Sequence, residues 1–121
     1  MKIVIEVIPH HEQRYATLGD YWVDVDGVQQ VRVSDLGNPH MNILVALHEL
    51  IELTLCEARG IAEPDIKAFD EAHPDADDPG SLPDAPYGLE HRFAEKIEYV
   101  MAGELNVTWT DYEARCKAMF E

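Results

Sequence analysis

The sequence predicts an α+β fold in which a small N-terminal antiparallel sheet of about three strands precedes three to four helices. Residues 2–8, KIVIEVI, are rich in β-branched side chains, which pack well on a pleated surface and lose rotamer freedom in a helix. Residues 21–35, YWVDVDGVQQVRVSD, give two alternating segments around Asp26-Gly27, a pair suited to a tight hairpin turn. From residue 38 onward the apolar spacing becomes helical. At 121 residues the chain fits a single domain, 1–121, with a sheet part over 1–36 and a helical part over 38–121.

The first helix is the best punctuated. Asn38 can cap it, Pro39 stands where its missing N–H costs nothing, and Gly60 can take the left-handed conformation that ends it, so the helix spans 39–59. A second, shorter helix begins near Pro64 and ends before Pro74, with Ile66 and Phe69 facing inward. Residues 71–88 contain four prolines and a run of aspartates, which predicts a long, solvated loop and, in a hydrolase, a candidate lid. The Asp75, Asp77, Asp78, Gly80 pattern is not a calcium loop, because the closing glutamate would fall on Pro86. A third helix over Leu89–Ala102 should bury Phe93, Ile97, Val100 and Met101 and end at Gly103. The fourth should start at a capping box formed by Thr110 and Glu113 and run to about Phe120.

Charge narrows the function. With 24 Asp and Glu against 9 Lys and Arg, the net charge of −15 repels a phosphate backbone, so nucleic acid is not the expected partner. A cation, a basic host protein or simple solubility suits that field. No run reaches membrane-spanning length, no export signal is recognisable, and Cys56 and Cys116 stand alone, all of which point to a reduced, cytoplasmic protein.

The stretch LVALHELIELTLCEARG, residues 44–60, poses the functional question. At 100° per residue His48 and Glu52 share one helix face inside an apolar stripe, and Glu49 lies at its margin. A buried, unpaired carboxylate is penalised by several kcal/mol, a large part of the ~5–15 kcal/mol that holds a domain together. A divalent ion would compensate, since imidazole and carboxylate are ordinary zinc ligands and the i, i+4 spacing presents both together.

Here the sequence resembles the zincin metallopeptidases, whose helix carries His-Glu-x-x-His; this chain reads His48-Glu49-Leu50-Ile51-Glu52, with glutamate in place of the second histidine. The resemblance covers roughly residues 1–60. It implies a zincin-like central helix and a zinc hydrolase acting on a peptide or protein substrate, with His48, Glu52 and a downstream His91 as ligands and Glu49 as general base. Zn²⁺ is the expected ion, with another divalent ion as the alternative. Glu95 and Glu98 share the flank of the third helix with His91, and Asp70 and His73 close the second helix; these four are candidate supporting or additional ligands. The segments VALHELIE, LCEARGI and APYGLEHRFAEKIE also resemble small acidic proteins of bacteriophages and prophages, which implies one unit joining the two helices.

The blander readings are a buried His48–Glu52 pair without metal, a solvent-facing His91, a His73 that serves the helix dipole, surface roles for His10, His11 and His40, and a Cys56 that is plain core. Rival functions are a non-catalytic metal-stabilised fold, an acidic DNA mimic that occupies a basic host factor, and an all-α nucleotide pyrophosphohydrolase using Glu49, Glu52, Glu95 and Glu98 around Mg²⁺.

Overall fold

Strand β1, Ile3–Ile8, β2, Gly19–Val23, and β3, Gln29–Ser34, form one sheet in the spatial order β1-β3-β2. The computed structural model describes all 121 residues. The hairpin expected around Asp26-Gly27 joins β2 to β3, with Gly27 at φ +78° and the Asp24 carboxylate accepting from the Asp26 and Val28 amides. The wholly antiparallel sheet is corrected: β1 runs parallel to β3, with Ile5 beside Val31 and Val7 beside Val33. The reason is topological. β1 finishes and β2 starts at the same end of the sheet, and residues 9–18 carry the chain across that end. β3 then inserts between the two earlier strands rather than adding to the outside.

Residues 9–18 are tied down by polar contacts. Gln13 donates to the Leu18 and Arg32 carbonyls, and Arg14 clamps Asp20 at 2.6 and 2.9 Å while lying over the Trp22 ring.

Helix α1, Pro39–Ala58, follows the expected punctuation. Asn38 accepts from the His40 and Met41 amides, and Gly60 at φ +72° turns the chain out. The helix packs on β2 and β3, where Val31, Val33, Leu44 and Cys56 are almost completely buried. It does not cover β1, whose Ile3, Ile5 and Val7 remain exposed on the same face. Helix α2, Glu63–Ala72, buries Ile66 and packs Phe69 against the core, as its pattern predicts. Residues 73–87 carry only a single 3-10 turn, Pro79–Ser81, in agreement with the proline-rich loop.

Helix α3, Gly88–Glu104, lies along α1 but is rotated by roughly a quarter turn from the predicted orientation at ~100° per residue, so that of the four residues expected to face inward Met101 alone packs on the core. Leu89, Phe93 and Val100 are 68, 49 and 62 % exposed, while Glu90, His91, Ala94, Glu98 and Ala102 are buried. The polar residues are admitted because each meets a partner: Glu90 pairs with Arg59 at 2.6 Å, Glu98 with His48, and His91 with Glu52. Ala94 and Ala102 let the helix axes approach closely. The helix continues through Gly103, and Asn106 at φ +57° makes the left-handed turn instead. Helix α4, Trp109–Ala118, starts two residues before the predicted box, with Thr108 at its N-cap and no side-chain cap bond. No helix is long and apolar enough to cross a membrane.

Candidate metal centre

His48 and Glu52 occupy successive turns of α1, and α3 brings His91 to them. The His48 Nε2 atom is 3.0 Å from Glu52 Oε2 and 3.1 Å from His91 Nδ1, and His91 Nδ1 is 3.0 Å from Glu52 Oε2. Three candidate ligand atoms thus form a nearly equilateral triangle in a buried place. A single point ~2.0–2.2 Å from each corner, the usual reach of zinc–nitrogen and zinc–carboxylate bonds, spans a triangle of this size.

The surrounding hydrogen bonds indicate which lone pairs face inward. His48 Nδ1 lies 2.8 Å from Glu98 Oε1, an acceptor, which assigns the proton to Nδ1 and leaves Nε2 free to ligate. His91 Nε2 lies 2.9 Å from Asp78 Oδ1, close enough for an ion pair although its N–H is not aimed squarely at that oxygen. The proton placed there leaves Nδ1 as an acceptor. Tyr21 donates to Glu52 Oε1 at 3.1 Å, which turns Oε2 toward the imidazoles. His48 and Glu52 therefore have outer hydrogen-bond partners and His91 has an ion-pair neighbour, and three acceptors converge on one point. Such a convergence requires positive charge, either protons or a metal ion.

Without metal, protons must supply it. Burial alone would lower the imidazole pKa values, but Glu52 and Glu98 outweigh it at His48 and hold that residue well above its ordinary value. At His91 burial is likewise overcome, by Asp78 and Glu52, and the pKa rises to about 10. For Glu52, burial opposes ionisation, yet the two histidines bring its pKa down to about 2. Glu49 behaves in the opposite way: burial, reinforced by the charge of Glu52, pushes it up.

A raised folded-state pKa gives stability that is complete below the unfolded value and lost as pH rises through the folded one. For His91 that window runs from about 6.5 to about 10, and ionisation of Glu49 acts in the same direction. The midpoint of thermal unfolding of chelator-treated protein should fall steadily from pH 6.5 to 10. Protein saturated with zinc, whose ligands are already neutral imidazole and carboxylate, should fall less over the same range. A flat profile for the chelator-treated protein would contradict this protonation scheme.

Beside the triad is a cavity of about 350 Å³, lined by β2, α1, α3, α4 and residues 76–80. Glu49 lies on its wall, nine-tenths buried. It has no hydrogen-bond or ion-pair partner among the hydrogen bonds and salt bridges of the chain. Gly19 on β2 makes its position possible, because a Cβ there would overlap the Glu49 side chain. Gly80 does the same for His91: a Cβ would come within 2.6 Å of Nδ1.

The other predicted residues divide clearly. Glu98 is a partner of His48 and also accepts from Tyr112. Glu95 is half-exposed, 4.0 Å from the outer nitrogen of His91, and with Asp78 forms a second, solvent-facing group around that nitrogen. Asp70 is on the cavity wall, bonded by Tyr15 at 3.1 Å and by Tyr87. His73 is outside the site, with Nδ1 bonded to the Phe69 carbonyl at 2.8 Å. His10, His11 and His40 do not line the cavity, and Cys56 belongs to the core. The loop of residues 71–88 is more than a solvated segment, since Asp78 and Gly80 both pack on His91. Asp78, Tyr21 and Tyr112 escape a sequence reading, because a loop aspartate and two core-type tyrosines have no periodic signal. The glutamates of the pyrophosphohydrolase alternative all line the cavity but no three of them meet as a ligand group, and the sheet excludes an all-α fold.

Glu98→Gln removes the charge that steadies His48 while keeping an acceptor. The variant should still bind zinc, with 10–100-fold lower affinity, the usual cost of losing such an outer partner. Competition with a fluorescent zinc chelator measures it; unchanged affinity would mean that Glu98 serves only the packing of α3.

Fold and site together define an α+β protein with a buried His-Glu-His group that can hold a metal ion. No family model, curated protein or solved structure matches the chain.

Proposed function

We propose that this chain is a zinc-dependent hydrolase that cleaves peptide bonds. The observation that carries the reading is the meeting of three acceptor atoms, 3.0–3.1 Å apart, beside a cavity into which an unpaired glutamate projects. His48, Glu52 and His91 supply three ligands of the kinds found in catalytic zinc sites made of two histidines and one glutamate, leaving a fourth position for water or substrate. Bound there, zinc would lower the pKa of water and polarise a carbonyl. Glu49 would take the proton of the attacking water and deliver it to the leaving amine. The zincin resemblance of the α1 helix supports the same assignment, with Glu52 standing where that family has its second histidine.

The test is incubation of the zinc-loaded protein with a mixed peptide pool, read by mass spectrometry. Cleavages that disappear with chelator and return with zinc are expected. If the chain holds one zinc per molecule and yet cleaves nothing, the ion serves the fold alone. A second reading rests on the net charge of −15, which would suit an acidic protein that occupies a basic host factor. Salt-sensitive binding to such a factor, unchanged in His48→Ala, would favour that reading.

A further inference from the structure

We propose that the substrate group entering the cavity beside the triad is cationic and that Asp70 is the residue that selects it; this inference rests on the hydrolase reading above. The cavity wall is strongly acidic, and Lys117 is its only lysine or arginine. Most of its carboxylates are already matched. Arg14 takes Asp20 at 2.6 Å and Glu63 at 2.8 Å, His91 takes Asp78 at 2.9 Å, and Lys117 lies 3.9 Å from Asp77. Glu98 faces His48, and Glu52 belongs to the triad.

Glu95 lies 4.0 Å from the His91 nitrogen that meets Asp78, and Glu113 is exposed, which leaves two buried or partly buried carboxylates without a cation. Glu49 is nine-tenths buried, has no polar partner, lines the cavity and is the general base of the proposed hydrolase. Asp70 is different, because both its oxygens are held, Oδ2 by the Tyr15 hydroxyl at 3.1 Å and Oδ1 by the Tyr87 hydroxyl. The donors are neutral phenols, which orient a carboxylate without cancelling its charge. No lysine, arginine or histidine nitrogen forms an ion pair with it. Burial raises its pKa to about 6, consistent with a charge that has no counterion. A fixed, uncompensated anion on a wall shared with Tyr15, Leu18 and Tyr87 suits an ammonium or guanidinium whose apolar stem lies along those side chains. An acidic group would meet like charge there, and a neutral one would gain at most a hydrogen bond without the charge pairing. The same chemistry is present in a lysine or arginine side chain and in the free amino terminus of a peptide.

Three probes with one common zinc-binding hydroxamate distinguish these sources: N-acetyl-lysine hydroxamate carries a side-chain cation only, norleucine hydroxamate a terminal amine only, and N-acetyl-norleucine hydroxamate neither. Zinc content of the full chain is measured first, and each probe is then titrated calorimetrically. One of the charged probes should bind roughly tenfold tighter than the neutral one, as expected for one partly buried charge pair. Asp70→Asn should erase that preference while leaving zinc content and affinity for the neutral probe unchanged. If Asp70→Asn fails to hold zinc, Asp70→Ser, which keeps a hydroxyl for the tyrosines, takes its place. Equal affinities for all three probes on zinc-loaded protein, or a preference that survives loss of Asp70, would overturn the assignment and leave the hydrolase reading standing. Absence of zinc would overturn both.

Discussion

Purified, untagged protein is expected to hold about one zinc ion per chain, and His48→Ala, Glu52→Ala and His91→Ala are each expected to lose it. The effect is large because the three donors are mutually dependent. Removing any one leaves two protein ligands, and the remaining outer partners, Glu98, Asp78 and Tyr21, then orient groups with nothing to bind. Binding to the folded state alone also stabilises the fold. Zinc present at a thousandfold excess over its dissociation constant adds about 4 kcal/mol, which for a domain of this size raises the unfolding midpoint by roughly 10–20 °C. Elemental mass spectrometry and a thermal scan with and without chelator measure the two consequences together. Full zinc occupancy in His91→Ala would show that α1 binds the ion without α3, against the geometry of the triangle.

Glu49→Gln should retain zinc and fold but lose hydrolytic turnover by about 10²–10⁴-fold, the range for removal of a general base. Glutamine has the same shape and fits the space left by Gly19, so the change isolates the proton-accepting role. A second readout is independent of substrate. The folded-state pKa of Glu49 is raised by burial and by Glu52, so its ionisation weakens the fold as pH rises. Glutamine never ionises, and the chelator-treated variant should therefore be at least as heat-stable as the chelator-treated parent above neutral pH. Undiminished turnover would remove Glu49 from the mechanism. Lower stability at high pH would show instead that its carboxylate is held by contacts favouring the charge.

Much of the architecture was legible locally. Asn38, Pro39 and Gly60 mark both ends of α1 by backbone chemistry alone, and Asp26-Gly27 marks the hairpin. The spacing of His48 and Glu52 on an apolar helix announced a polar cluster in the core, because the i, i+4 relation is fixed by helical geometry whatever packs around it. His91 was a candidate by residue type and by its place on the flank of the third helix, outside the apolar stripe. On α3 the apolar residues Phe93, Ile97, Val100 and Met101 pointed to one face, and the fold buried an adjacent one that keeps only Met101 of the four against the core.

What the sequence by itself determined is the set of elements and the half-site on α1, since capping, turn formation and helical periodicity are properties of neighbouring residues. The tertiary structure alone decided the direction of β1, the face of α3 that turns inward, and the roles of Asp78, Tyr21 and Glu98. Each of these depends on partners distant in the chain. A buried Glu98 or His91 is tolerable only where His48 or Glu52 meets it, and that energy of pairing appears in no local pattern.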